Sequence, residues 1–287
     1  MSAYNSFCIV GVGGIGTPIL NAFLSAEISP LVLTRKSSPK AFPPSVKVAK
    51  VDFQNVDEIA DALREHKVDV VISTITHEAI SVQYLLADAA KKTGVKLFVP
   101  SEFGTVTDGI SGYPGESEAS PLVLKDKFAA HLKSIGLPYT RLFVGSFFEY
   151  IPWITGLAEN GKVNIAGKGE SLASFTDEAD VGGFLVHILT SRSPAELENK
   201  SLRIEGDSIS LVDLAKRLQK DVQYVARVPG EPAQVKNYLA SLFESGRGSV
   251  RWDYSLNTQR QGGDANDNKL WPGHQWKTLA DFQLGAS

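Results

Sequence analysis

The chain has 287 residues, of which 43% are hydrophobic, and its 29 basic and 32 acidic residues give a formal net charge of -3. This length allows one large core, or a nucleotide-binding domain with a smaller lobe grafted onto it. The balanced charge gives no sign of a polyanion partner, so we expect no nucleic acid to bind. The single cysteine, Cys8, excludes an internal disulfide and predicts a reducing compartment.

Two further classes of protein are disfavoured by how particular residues are distributed. The histidines stand apart, without the short spacings of metal ligands, so we expect no metal site. The first strand-like run begins too early for a signal peptide to precede it, and no apolar stretch approaches the roughly 18 residues of a membrane helix. We therefore expect a soluble cytoplasmic protein with no membrane partner. The sequence leaves open whether it forms a homodimer.

The first half of the chain alternates short β-branched runs with apolar residues at helical spacing, which is typical of a parallel sheet with crossover helices. The predicted strands are Phe7–Val10, Pro30–Thr34, Val46–Val51, Val68–Ser73 and Val95–Pro100. The predicted helices between them are Ile15–Ala26, Val56–Lys67 and Glu78–Thr93. We therefore expect an α/β fold, a Rossmann-type doubly wound parallel sheet with a smaller C-terminal lobe.

A long loop follows the fifth predicted strand. Residues 104–120 are rich in Gly, Ser, Thr and acidic residues. Ligands of doubly wound sheets bind at the carboxyl ends of strands, so a loop here is typical of a lid or a pocket wall. We predict a helix at Pro121–Ile135 and a sixth strand of the sheet at Tyr139–Val144, and after about Phe147 the alternation breaks down. The helices predicted beyond that point are Asp177–Thr190 and Leu211–Lys220.

A glycine-rich loop lies directly after the first strand and directly before the first helix. Its G-x-G-x-x-G spacing, in this context, predicts a dinucleotide site. Gly11 permits the tight turn, Gly13 lets the backbone approach a pyrophosphate, and Gly16 allows close packing of helix on strand. The same loop adds Gly14 and Ile15 to the predicted cofactor contacts. A glycine turn without a ligand is the weaker alternative.

The residues at the end of the second strand predict which dinucleotide binds. About 20 residues beyond the glycine loop, where NAD enzymes place an acidic residue, the chain has Arg35 and Lys36. A guanidinium suits a 2′-phosphate, so the predicted cofactor is NADPH or NADP+. Lys40 is a further candidate phosphate contact. We accordingly expect an NADP-binding domain in residues 1–150, and in residues 151–287 mainly a substrate-binding lobe, with some segments returning to the first domain.

With these features, the chain resembles the isoflavone reductase and NmrA-like group of atypical short-chain dehydrogenases. The segments that carry the resemblance are Val70–Thr74, Phe98–Gly104, Gly136–Thr140, Gly145–Phe148 and Asp177–Gly182. Residues 268–272, Asn-Lys-Leu-Trp-Pro, resemble fungal members in particular. We expect Thr74, Ser101 and Phe103, which lie in these segments, to contact the cofactor. The glycine loop is one residue shorter than in many members, but its spacing is itself a working fingerprint.

The resemblance also implies a catalytic lysine. Short-chain dehydrogenases generally use a Tyr-x-x-x-Lys pair, but here the residue four before Lys125 is Pro121. The isoflavone reductase group likewise lacks that tyrosine and relies on the lysine. Lys125 stands 11 residues before Gly136, as the matching lysine of the group does, and is therefore expected to bind the cofactor and act in catalysis.

Helix geometry selects the same lysine independently. At about 100° per residue, one apolar stripe is formed by Leu124, Phe128, Leu132 and Ile135. Lys125 falls on the flank of this stripe, where a charge is costly unless it meets a ligand or a partner. The alternative is a surface lysine whose aliphatic stem lies over apolar neighbours.

These residues suggest hydride transfer from C4 of NADPH to an aromatic or otherwise apolar small molecule, such as an enone, quinone, phenolic ether or ketone of secondary metabolism. In this hypothesis, Lys125 bonds the nicotinamide ribose and handles the proton, with its pKa lowered by the pocket. Phe147, Phe148 and Tyr150 are candidate substrate contacts, though such aromatic runs are equally typical of a core. Tyr113 is a candidate proton donor from the long loop.

Two alternative functions stay open at this point. The first is an NmrA-like redox sensor, which binds the dinucleotide and a protein partner without turnover. The second is an enzyme that uses the same cofactor for isomerisation or rearrangement. A lysine at position 125 favours a reductase over a sensor, because a sensor needs no group to move a proton.

Overall fold

The computed structural model describes residues 4–76, 79–262 and 265–283. Its contacts divide the chain into two compact units, each built from several segments. The first unit comprises Met1–Glu102, Thr107–Leu142 and Gly182–Leu202. The second comprises Phe103–Val106, Phe143–Val181 and Arg203–Ser287. The assignment of a cofactor role to residues 1–150 and of a substrate role to residues 151–287 stays a prediction.

Strands and helices alternate in the first part of the chain and become short and irregular in the second. The strands are β1 (Phe7–Val10), β2 (Leu31–Arg35), β3 (Lys47–Val51), β4 (Val70–Ser73), β5 (Leu97–Val99), β6 (Thr140–Phe143), β7 (Ser146–Phe147), β8 (Val163–Ile165), β9 (Leu172–Thr176), β10 (Lys200–Arg203), β11 (Asp207–Ser210), β12 (Val222–Tyr224), β13 (Trp252–Asp253) and β14 (Thr258–Gln259). The helices are α1 (Gly16–Ser25), α2 (Val56–Glu65), α3 (Ile80–Thr93), α4 (Pro121–Ser134), α5 (Ile151–Ile154), α6 (Leu157–Asn160), α7 (Glu178–Ser191), α8 (Pro194–Leu197), α9 (Leu211–Arg217) and α10 (Ala233–Glu244).

The first unit is built on a parallel sheet with the strand order β3-β2-β1-β4-β5. Strand β1 lies between β2 and β4, with Cys8 opposite Leu31 on one side and Val71 on the other. Every residue of β1, β4 and β5 is buried, as expected for a parallel sheet covered on both faces. The chain runs outward from β1 to β3 and then crosses to β4. Between β1 and β4 the order therefore reverses, which is where such folds bind their ligands.

Helices cover both faces of this sheet. Successive side chains of a strand point to opposite faces, so Cys8 and Val10 share one face and join a core with residues of α2, α3 and α4. Phe7 points to the other face and contacts Phe23 of α1, with ring centroids 4.9 Å apart. These two layers complete the doubly wound α/β arrangement, and the predicted fold class is confirmed.

Most elements of this unit lie within two residues of their predicted bounds, but two predictions need comment. The predicted sixth strand, β6, is joined to the central sheet only by an isolated bridge between Phe98 and Tyr139, and it pairs with β10 instead. It is therefore wrong to count it as a regular sixth strand. Helix α3 begins at Ile80, and the predicted start at Glu78 lies outside the described residues. Residues 104–120 form the predicted loop.

The second unit contains shorter pieces of sheet around a separate core. Strand β9 pairs with β7 in parallel and with β11 antiparallel, while β8 pairs with β12. Phe148, Phe175 and Phe243 are among the side chains at the centre of this core. The helix predicted at Asp177–Thr190 is α7, and the helix predicted at Leu211–Lys220 is the shorter α9.

Two properties of the described residues bear on location and chemistry. Within residues 4–76, 79–262 and 265–283, no helix is both long enough and apolar enough to cross a bilayer. Over the same residues, no group of three His, Cys, Asp or Glu side chains is arranged to hold a metal ion. The cytoplasmic location and the metal-free site expected from the sequence stay predictions.

Candidate active site

The glycine loop connects β1 to α1, and two of its three fingerprint positions, Gly11 and Gly16, have a steric reason for being glycine. Gly11 has φ +86°, a conformation that side chains disfavour. A Cβ on Gly16 would collide with the carbonyl oxygen of Gly11 and with the hydroxyl of Thr74. A Cβ on Gly13 would meet open space. The Cα of Gly13 therefore faces open space, from which a ligand is able to approach the backbone.

A cavity of about 810 Å³ opens beside this loop, at the carboxyl ends of β1, β2 and β4. It brings together five predicted cofactor residues, which are Gly11, Gly13, Arg35, Lys36 and Thr74. The described residues that line it include the basic side chains of Arg35, Lys36 and Lys40 and one acidic side chain, Asp52. We refer to this space as the basic cavity. An excess of positive charge in a chain of negative net charge fits an anionic ligand.

The three basic side chains of the cavity differ in what they bind. The ammonium group of Lys36 lies 2.8 Å from the carboxylate of Glu58 on α2, and this hydrogen bond raises the pKa of Lys36. Lys40 donates to the carbonyl oxygen of Val12 at 2.6 Å, across the glycine loop. The guanidinium of Arg35 has no ion pair or hydrogen bond with another described residue. Arg35 is therefore the cation that a phosphate could bind without displacing a partner.

Two other predicted cofactor positions stabilise the loop structure of the first unit. The hydroxyl of Thr74 donates to the carbonyl oxygens of Val10 and Gly11, which holds the end of β4 against the glycine loop. The hydroxyl of Ser101 donates to the carbonyl oxygen of Ile75 at 2.7 Å, and its N–H donates to Gln83. These bonds fix the ends of β4 and β5 beside each other.

The remaining cofactor predictions lie outside the lining of the basic cavity. Gly14 is exposed in the loop, Ile15 is the residue before α1, and Gly16 is buried as the first residue of α1. Phe103 belongs to the second unit, where it is 8% exposed and has φ +37°. Their contacts with a cofactor stay predictions. The sequence reading did not select Phe53 or Gln54, which line the cavity after β3.

Lys125 is half-buried on α4, beside the buried side chains of Ala129 and Leu132. The buried residues of α4 are Val123, Phe128, Ala129 and Leu132, whereas Leu124 is only half-buried. Residues seven apart differ by about 20° around a helix, so Lys125 projects in nearly the same direction as Leu132. The apolar stripe predicted from the sequence differs from the buried residues of α4, because the prediction included Leu124 and left out Ala129.

The ammonium group of Lys125 is held by the main chain. It donates to the carbonyl oxygen of Glu102 at 2.7 Å, just after β5. Burial lowers the pKa of Lys125, the Arg141 cation lowers it further, and the Glu102 carboxylate opposes both effects. A lysine with a lowered pKa is able to give up its proton nearer neutral pH than an exposed one. This is the property that general acid–base chemistry requires.

Glu102 and Arg141 belong to a group of charges that sequence reasoning missed. Arg141 on β6 lies 2.9 Å from Glu102, 3.1 Å from Asp108 and 3.2 Å from Asp126. We refer to these four residues with Lys125 and Thr107 as the lysine cluster. Two signals were present in the sequence: Glu102 stands inside the Phe98–Gly104 segment, and Arg141 is a charged residue in a predicted strand.

The predicted substrate contacts have different environments. Phe148 is 1% exposed and packs between Phe175 and Phe282 in the core of the second unit, and its assignment as a substrate contact stays a prediction. Phe147 is half-buried, and Tyr150 is exposed with its ring centroid 5.8 Å from that of Phe147. Tyr113 is half-buried in the long loop of the first unit. Phe147, Tyr150 and Tyr113 stay predicted substrate contacts.

Glu149 and Glu178 lie near Tyr150, which pairs with Phe147 in the second unit. Burial, together with the charges of Glu149 and Asp177, raises the pKa of Glu178 to about 7. Burial also raises the pKa of Glu149. The pKa of Tyr150 is raised by its own burial and by the same two glutamates, so its phenol stays protonated at neutral pH. Protonation of these carboxyls is therefore easier than that of exposed ones, and a protonated carboxyl is able to donate a hydrogen bond.

The fold and the basic cavity define a Rossmann protein of the dinucleotide-binding type. The chain belongs to the NmrA-like family, whose model matches residues 7–282. It is 30% identical over 263 residues to oxidoreductase BOA1 of Botryotinia fuckeliana (strain B05.10), covering 82% of this chain and 84% of the relative. It is 32% identical over 197 residues to phenylcoumaran benzylic ether reductase 1 of Arabidopsis thaliana, covering 62% of each. The family resemblance predicted from the sequence is confirmed.

A solved structure gives the same result for the fold. The binary complex of leucoanthocyanidin reductase with NADPH from Vitis vinifera has a TM-score of 0.76 to this chain and 21% sequence identity. The match covers 96% of this chain and 97% of that structure. At this level of identity, the similarity demonstrates a shared architecture across nearly the whole length, with both units included.

Proposed function

We propose that this chain is an NADPH-dependent reductase of an aromatic or otherwise apolar small molecule in secondary metabolism. The observation that carries the proposal is the placement of Lys125, whose ammonium group donates to the carbonyl oxygen of Glu102 and has a lowered pKa. A protein that only senses a dinucleotide needs no such proton donor. The names of the relatives, oxidoreductase and benzylic ether reductase, support the same class of reaction.

The basic cavity supports NADPH as the cofactor. Arg35 offers a guanidinium to a 2′-phosphate, and Lys40 lies within reach of the glycine loop. The open backbone at Gly13 and the N-terminus of α1 suit a pyrophosphate. NADPH is also the molecule bound in the leucoanthocyanidin reductase complex. When bound, NADPH supplies a hydride.

Lys125 supplies the other half of the reduction. A hydride added to a carbonyl or conjugated carbon leaves the electron pair of the broken π bond on oxygen, and that oxygen requires one proton. In a benzylic ether, the same proton goes to the leaving phenolate oxygen. Lys125 donates this proton, directly or through a water, and is then reprotonated from solvent. The aromatic side chains of Phe147 and Tyr150 support an aromatic substrate.

The test follows the absorbance of NADPH during incubation with a panel of enones, quinones, ketones and phenolic benzylic ethers. We expect steady consumption with at least one compound and formation of its reduced product, with NADH a poorer donor. Binding of NADPH without consumption would overturn the reductase and favour a redox sensor. Conversion of a compound with no net loss of NADPH would favour an isomerase.

A further inference from the structure

Lys125 is held by a hydrogen bond to a main-chain carbonyl oxygen, whereas the charges near its ammonium group come from side chains. Its ammonium group is 2.7 Å from the carbonyl oxygen of Glu102, so the position of the lysine depends on where the Glu102 backbone lies. The Glu102 side chain is 1% exposed, and both of its carboxylate oxygens accept hydrogen bonds. One accepts from Arg141 and the other from the hydroxyl of Thr107, each at 2.9 Å. The carboxylate thus holds the backbone that holds Lys125.

Arg141 connects this carboxylate to the rest of the lysine cluster. Its side chain is 3% exposed and contacts carboxylates from three parts of the first unit: Glu102 after β5, Asp108 in the long loop, and Asp126 on α4. Its remaining nitrogen donates to Thr107. Tyr139, just before β6, is uncharged near neutral pH, and burial raises its pKa further.

A cluster of this kind has no need to exist for stability alone. Removing charges from water costs free energy, and buried ion pairs can often be replaced by apolar side chains without loss of stability. Here the buried cation of Arg141 and the buried carboxylate of Glu102 have opposite effects on the pKa of Lys125. A nearby cation disfavours the protonated form of a lysine, and a nearby carboxylate favours it.

We propose that Glu102 and Arg141 are positioning residues, which fix Lys125 through the Glu102 backbone and set its protonation state by opposing charges. The proposal rests on the proposed function for its catalytic meaning, but not for its electrostatics. As a proton donor, Lys125 is active when protonated, so kcat falls as the pH rises through its pKa. The pKa of Lys125 is already lowered by burial, and this alkaline limb lies below the range of an exposed lysine.

The decisive variants change one charge each. Glu102→Gln keeps the backbone carbonyl and most of the hydrogen-bonding capacity while it removes the negative charge, so the alkaline limb of kcat moves to lower pH. Arg141→Met removes the positive charge, so the limb moves to higher pH. Thr107→Val is the control, because it removes two hydrogen bonds of the cluster and no charge. Its limb stays at the wild-type pH even if kcat falls.

A direct titration separates this inference from the proposed function. The full chain is labelled with carbon-13 lysine, and the Lys125 signal is identified by its loss in Lys125→Gln. Its midpoint moves down in Glu102→Gln and up in Arg141→Met, without any substrate or turnover. Shifts in the same direction, or none, would overturn the inference while leaving reductase activity untouched. If Arg141→Met fails to fold, Glu102→Gln decides alone: a lower midpoint supports the inference, and an unchanged or higher one refutes it.

Discussion

The basic cavity and the lysine cluster both collect charged side chains at the strand ends of the first unit, but they do so in opposite ways. In the cavity, cations outnumber acids among the described lining residues, and Arg35 is left for a ligand. In the cluster, Arg141 is nearly fully buried and contacts three carboxylates. The difference indicates that accessible cations in excess of acids suit the binding of an anionic ligand. Buried charges of opposite sign instead act on the protonation of a neighbouring side chain of the protein.

The largest effect is expected at Lys125, the point where the cluster meets the chemistry. Lys125→Ala removes the proposed proton donor, so kcat falls by about 100-fold to 10,000-fold, whereas the loss of one hydrogen bond to the nicotinamide ribose weakens NADPH binding by only about 10-fold. Lys133→Ala, an exposed lysine on the same helix, is the matched control. Stopped-flow single-turnover rates and fluorescence titration of NADPH separate the two effects. Full activity in Lys125→Ala would remove the cluster from the mechanism.

Gly16 and Gly13 are expected to matter for different reasons, Gly16 for packing within the chain and Gly13 for the approach of a ligand. Gly16→Ala places a methyl against the carbonyl of Gly11 and the side chain of Thr74, so the free energy of unfolding falls by about 1–3 kcal/mol and NADPH binding is lost. Gly13→Ala meets open space, so its urea unfolding matches the wild type while NADPH binding weakens. Equal unfolding curves for both variants would contradict this division.

The charge of the cavity is tested at Arg35. Arg35→Ala removes the unoccupied guanidinium, and NADPH binds about 10-fold to 100-fold more weakly, while NADH changes by less than about twofold. Lys47→Ala, an exposed lysine at the other end of the adjacent strand, serves as the control and binds both cofactors as before. Isothermal titration calorimetry measures all four affinities. An equal loss of affinity for NADPH and NADH would mean that Arg35 does not bind the 2′-phosphate.

The smallest effect is expected at the ion pair on the rim of the cavity. Glu58→Gln releases Lys36 from its carboxylate, so NADPH binds about twofold to threefold more tightly, and the effect fades in high salt. The thermal unfolding midpoint stays unchanged, because exposed ion pairs contribute little. Asp61→Asn, which breaks another exposed pair of α2, is the comparison and leaves NADPH affinity unchanged. Weaker binding in Glu58→Gln would show that the pair orders the cavity instead.

The sequence was informative about the cavity because its determinants are local. Gly11, Gly13 and Gly16 lie within six residues, and Arg35 ends the adjoining strand, so spacing alone predicted where they meet. The regular alternation of buried strands and amphipathic helices likewise predicted β1 to β5 and α1 to α4 almost to the residue. Periodicity works here because each element buries one continuous face.

The lysine cluster was not predictable in the same way. Glu102, Asp108, Asp126 and Arg141 are separated by long stretches of chain and meet only when the sheet has formed. The environment of Phe148 was equally hidden, because its partners Phe175 and Phe282 come from distant segments. No pattern in the sequence distinguishes a ring that packs inward from one that faces a pocket.

The attachment of Lys125 to a main-chain carbonyl bears on how such a protein diverges over evolutionary time. A substitution at position 102 alters the charge beside the lysine, but every amino acid supplies the same carbonyl oxygen. A substitution that keeps the hydrogen bonds of this side chain and loses its charge, such as Glu102→Gln, therefore changes the acidity of the amine while the carbonyl that locates it is retained. A lineage could shift its working pH through this one side chain while its lysine stayed in register with the substrate, and a protein engineer could follow the same route.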